Sequence, residues 1–98
     1  MKTIWKFGIH KDGKTDTIFP NRVEIGMPKD AEIISVMEQD NDICLHAIVD
    51  SEAPKDRRFF EVFGTGHEIK GIEFTERKYI GSAKVEDGKF IFHIFEII

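Results

Sequence analysis

The 98 residues include one cysteine, one tryptophan, one tyrosine and three prolines. With Cys44 alone, a disulfide framework within the chain is excluded, and so is a zinc site built from several thiolates. A reducing compartment is the expected setting. A basic surplus is also missing: 14 Lys and Arg stand against 18 Asp and Glu, for a net charge of −4. Proteins held on phosphate backbones by ion pairing show the opposite balance, so generic nucleic-acid binding is disfavoured. No apolar run reaches the length of a membrane span. The opening Met1-Lys2-Thr3-Ile4-Trp5-Lys6 has neither the apolar core nor the cleavage pattern of a secretory signal. The expectation is a cytosolic protein with no membrane partner.

Phenylalanine is abundant, with nine copies, and its bulk and strand preference point to a β-rich core. The length fits one domain, residues 1–98, because neither half could bury an independent core. Period-two alternation recurs along the chain. Trp5, Phe7 and Ile9 share one face of a first strand, and Lys11-Asp12-Gly13-Lys14 reads as a turn. A short strand over 15–19 and another through Val23, Ile25 and Met27 follow. Ala31 to Met37 and Ile43 to Val49 form a hairpin around Asp40-Asn41-Asp42. Arg57 to Phe63 is the next strand, and residues 68–78 carry no readable pattern. Tyr79 to Val85 and Phe90 to Ile97 flank Glu86-Asp87-Gly88-Lys89, the strongest hairpin signal in the chain. About seven short strands without a capped helical stripe predict an all-β fold, an antiparallel sandwich or a small barrel.

Chemistry-bearing motifs are sparse. Gly64-Thr65-Gly66-His67 could form a nest of N–H groups for an anion, with Arg57 and Arg58 upstream to assist. The competing reading is a tight turn whose glycines serve backbone geometry, and it is the favoured one, since short glycine motifs recur by chance. His10, His46, His67 and His93 show no ligand spacing, so no metal site is expected. Cys44 lies within a strand between Ile43 and Leu45 and reads as a small buried hydrophobe, not a nucleophile. No serine elbow, phosphate loop or dinucleotide fingerprint occurs, so neither an enzyme nor a cofactor is expected. The last strand is apolar on both faces, which suits a central position in a sheet. Ile91, His93, Phe95 and Ile97 on one of those faces would meet either a second copy of the chain or the 68–78 stretch.

Met1 to Phe7, Ala31-Glu32-Ile33-Ile34-Ser35-Val36, Phe63-Gly64-Thr65-Gly66-His67 and Phe90 to Glu96 together resemble a family of small proteins encoded by bacteriophages and prophages. That family has no assigned activity, so the resemblance transfers no catalytic residue. It implies a phage accessory gene expressed in the cytoplasm of a bacterial host. The expected function is accordingly binding without catalysis, with a bacterial host or defence protein as the partner. Two alternatives stay open: capture of an anionic small molecule such as a nucleotide signal at Arg57, Arg58 and Gly64 to His67, or a structural role in the phage particle.

Overall fold

Alternating apolar residues sort the strands into two sheets in the computed structural model, which describes residues 1–9, 14–15, 21–69 and 76–98. The elements are β1 (Lys2–Gly8), β2 (Lys14–Thr15), β3 (Arg22–Pro28), β4 (Glu32–Gln39), β5 (Asp42–Asp50), β6 (Lys55–Gly64), β7 (Arg77–Val85) and β8 (Phe90–Ile97). No helix occurs among the described residues, and every strand pairing is antiparallel. The smaller sheet runs β1-β5-β4 and the larger β2-β3-β6-β8-β7. The predicted all-β fold is therefore present as two layers and does not close into a barrel. Of the strand predicted over 15–19, only residue 15 is described, and it forms β2 together with residue 14 of the predicted turn. His10, most of the first turn and the middle of the 68–78 stretch lie outside the described residues.

Both predicted hairpins form where turn chemistry allows them. Asp40 and Asn41 take φ of 51° and 66°, the two left-handed positions that a two-residue turn of this hand requires. Asp and Asn tolerate that region better than other residues with a β-carbon. In the β7–β8 hairpin, Glu86, Asp87 and Gly88 all have positive φ, and the Lys89 N–H closes the turn on the Glu86 carbonyl at 3.1 Å. The two hairpin ends are joined: the Glu86 N–H donates to Asn41 Oδ1 at 2.7 Å.

The inner faces meet in one apolar core that includes Ile25, Met27, Leu45, Val49, Phe60 and Ile94. Cys44 is buried as expected, although its register places it on the outward side of β5, opposite Gly8 and Met37. The layers come together along β4 and β7. Each carries an irregularity there, between Ile33 and Ser35 and between Tyr79 and Gly81. Such bulges sharpen the local twist and bend one sheet toward the other. At the far side of the small sheet, β1 pairs with β5 and with no other described strand.

β8 lies between β6 and β7, the central position that its two apolar faces predict. Ile94 faces the core and is fully buried. Phe95, Ile97 and His93 turn outward, opposite Glu61, Phe59 and Phe63 on β6.

Candidate functional site

Strand geometry separates the residues proposed for an anion site. Neighbours on a strand point to opposite faces. Arg57 therefore lies outward, with its guanidinium 3.1 Å from Glu24 Oε1, and Arg58 lies inward. The Arg58 Nε donates to Glu96 Oε2 at 2.6 Å and its Nη2 to Oε1 at 2.7 Å, while Nη1 donates to the Ala31 carbonyl. This two-pronged pair fixes β6 to β8 and to the start of β4, and it commits the guanidinium to the fold. Arg58 and Gly64 are six residue steps apart along β6, a distance of about 20 Å. The arginines and the glycine turn are thus not brought together.

The Gly64–His67 turn has its own logic. The His67 N–H donates to the Gly64 carbonyl at 3.0 Å, and Gly66, with φ of 89°, occupies the position where that turn needs a left-handed residue. The His67 ring folds back over Gly64, whose N–H donates to Nδ1 at 3.1 Å. A β-carbon at position 64 would lie 2.6 Å from His67 Cε1, so the ring keeps this place over the turn only because residue 64 is glycine. The Thr65 N–H donates to the Ile91 carbonyl at 3.1 Å, and Thr65 Oγ1 lies 2.8 Å from His93 Nε2. The N–H groups of Gly64, Thr65 and His67 are all used inside the protein, which leaves little of an anion nest. Beside the turn is a depression of about 280 Å³ in which Lys89 is the cationic side chain among the described residues, with Phe90, Ile91 and Phe92 as its apolar wall. Lys89 was not among the residues singled out from the sequence, because it lies a full hairpin away in the chain.

A larger cleft of about 620 Å³ opens at the β4–β7 corner, lined by Asp30, Glu32, Asp56 and Glu96 with Arg58 and Lys78. Its arginine is occupied by Glu96. Among the described residues, no three His, Cys, Asp or Glu side chains converge where they could hold a metal ion.

The outward face of the large sheet is the most distinctive surface. Phe59 pairs across with Ile97, Phe95 with Glu61 and Tyr79, and His93 with Phe63 and Ser82. The Tyr79 and Phe95 rings meet edge to face at 5.4 Å, and Phe63 meets Phe95 at 6.2 Å. Phe63 is buried, but Tyr79 is 54% exposed, Phe59 38% and Ile91 37%. Set into the same face is a charged trio: the Arg77 Nε donates to Glu61 Oε1 at 2.7 Å, and Arg22 Nη2 lies 3.8 Å from Oε2. Glu61 is 4% exposed, and a carboxylate that deep requires such partners. Ile91, His93, Phe95 and Ile97 thus share one outward face, to which Phe59 and Tyr79 belong as well. Period two within the last strand signalled its own four residues; the contributions of β6 and β7 depend on register, which the sequence does not display.

An all-β two-layer domain with an apolar outward sheet face is the class of protein that the fold defines. The whole chain, residues 1–98, matches the model of DUF7352, a domain of unknown function, and the protein belongs to that family. No curated protein matches the chain. No solved structure matches it either. No helix among the described residues is long and apolar enough to cross a membrane.

Proposed function

We propose that the protein is a non-catalytic binding module that docks on a partner protein through the outward face of its large sheet. The observation that carries this reading is the exposure of Phe59, Tyr79 and Ile91 around Phe95 and Ile97 on one surface. Isolated exposed apolar residues are ordinary, whereas a contiguous aromatic patch on a sheet marks an interaction surface. Aromatic residues are enriched at the centre of protein interfaces, and charge belongs at the rim. Arg57 and Lys84 supply that rim here, both exposed on this same face. The resemblance to phage and prophage proteins makes a bacterial enzyme or defence component the partner class, and the host cytoplasm the place of action. Capture of a nucleotide-like anion is the second reading. It is supported by the Lys89 depression beside Thr65 and His67 rather than by Arg57 and Arg58.

The test is a photo-crosslinking residue at position 79 in one protein and at position 2 in another, each expressed in bacterial cells. A discrete adduct from position 79 that Phe59→Ser abolishes supports the reading. Equal adducts from both positions, or none from position 79, would overturn it.

A further inference from the structure

One backbone donor of the Gly64–His67 turn is covered by an imidazole instead of a carbonyl. The Gly64 N–H donates to His67 Nδ1 at 3.1 Å, so Nδ1 carries no proton and the neutral ring holds its proton on Nε2. The ring lies over Gly64: its Cε1, Nδ1 and Nε2 are the atoms that a β-carbon there would meet, at 2.6, 2.9 and 3.0 Å. The N–H groups of Thr65 and His67 donate instead to backbone carbonyls, those of Ile91 and Gly64. A carbonyl accepts at any pH. An imidazole stops accepting once protonated, because both ring nitrogens are then donors. A histidine takes up that proton in mild acid, at about pH 6.5 when unperturbed. Gly64, Thr65 and His67 line one depression with Lys89 of the β7–β8 turn. The other titratable groups around the ring are Glu68, next in the chain, and His93, whose Nε2 lies 2.8 Å from Thr65 Oγ1.

We propose that His67 is a proton-operated cover over an oxyanion site made of the Gly64 N–H, the His67 ring and Lys89, resting on the anion-capture reading of the same depression. In neutral solution the ring itself occupies the Gly64 N–H. On protonation the Nδ1–H and the Gly64 N–H would point at each other, so the ring swings off about its side-chain bonds. The turn survives this, because the bonds of the His67 N–H to the Gly64 carbonyl and of the Thr65 N–H to the Ile91 carbonyl do not involve the ring. The freed N–H, the imidazolium and the ammonium are then three donors for one oxyanion of the phosphate kind, two of them charged. The anion also cancels the repulsion between Lys89 and the protonated ring. Phe90, 51% exposed, stands beside it as an apolar wall. Binding takes up a proton, so affinity rises as the pH falls.

The experiment is a sulfate titration of the full chain, followed by the Gly64 amide in proton–nitrogen NMR at about pH 7.5 and about pH 5.5, either side of the histidine range. Sulfate is the probe because it stays a dianion throughout. The expected result is a Gly64 amide that moves between the two pH values together with the His67 ring signals, and a sulfate affinity several-fold higher in acid. His67→Ala bares the Gly64 N–H at both pH values and makes the affinity independent of pH. Lys89→Ala weakens binding several-fold while the Gly64 amide still responds to pH. A Gly64 amide that ignores pH would overturn the inference. So would one that moves with pH but not with sulfate, water having taken the freed N–H. Acid-strengthened binding that persists in His67→Ala would also overturn it and assign the proton to His93. Equal sulfate affinity at the two pH values would remove the cover and leave the anion-capture reading standing, whereas no sulfate binding at either would remove both.

Discussion

Gly81 passes so close to Val36 that a β-carbon at position 81 would lie 3.2 Å from Val36 Cγ2. This contact sets the spacing of the two layers at the β4–β7 corner, where both strands carry their irregularities. Gly81→Val should overpack the junction and lower stability by about 1–3 kcal/mol. Val36→Ala in the same chain should restore part of that loss, even though it is destabilising alone. Urea unfolding of the two single variants and the double variant measures the coupling. Strict additivity would show that the corner yields without cost.

The Gly64–His67 turn leads to a prediction that separates a structural turn from a binding site. Gly64→Ala drives a methyl group into the His67 ring and breaks the N–H bond to Nδ1. Gly66→Ala forces a residue with a β-carbon into φ of 89°. Each should cost about 1–2 kcal/mol in thermal or urea unfolding. In the Gly64→Ala background, removing the ring with His67→Ala should recover stability. Thermal stabilisation of the wild type by a nucleoside phosphate, lost on Lys89→Ala, would instead promote the depression beside the turn to a binding site.

Acid should loosen the start of the small sheet. The Asp50 carboxyl is held below its ordinary range, first by the Glu52 N–H at 3.0 Å and next by the Met1 ammonium at 3.2 Å. A carboxylate with a lowered native pKa contributes stability above its unfolded value and loses that contribution as pH falls through the native value. Asp50→Asn should therefore be less stable than the wild type at neutral pH, with the gap closing in acid. Urea midpoints over a pH series check this. A gap that persists below the native titration range of Asp50 would assign the effect to the turn geometry rather than to charge.

Local pairings were legible in the sequence because turn residues announce them. Asp40-Asn41 and Asp87-Gly88 sit between alternating runs, and each hairpin closes where those residues take up left-handed backbone. The two apolar faces of Phe90 to Ile97 likewise foretold a central strand. Pairings between distant segments were not legible. β1 pairs with β5 and β6 with β3 because of how the layers stack, and no local signal encodes that choice. The candidate site failed in part for the same reason. Arg57 and Arg58 look like one cationic feature in the sequence, but the period-two rule already sends them to opposite faces, and the inner one is held by Glu96. Lys89, Phe59 and Tyr79 reach their places only through cross-strand register.

The outward sheet face supplies the sharpest test of the proposed function, because two substitutions on it should behave in opposite ways. Tyr79 is mostly exposed and touches its sheet through an edge-to-face contact with Phe95, so Tyr79→Lys should cost no more than about 1 kcal/mol of stability. Its effect should fall on partner binding, since truncating an aromatic at the centre of an interface often costs 2 kcal/mol or more. Glu61 lies in the same face but is buried against Arg77 at 2.7 Å. Glu61→Ala removes the buried carboxylate that Arg77 and Arg22 both reach and should cost about 1–3 kcal/mol of folding stability. Urea unfolding of both variants, alongside crosslinking from a photoprobe at position 91 in the variant and the wild-type backgrounds, separates a surface that binds from a charge cluster that holds the sheet. Wild-type crosslinking by a protein carrying Tyr79→Lys, with the photoprobe moved to position 91, would remove the aromatic face from the binding site.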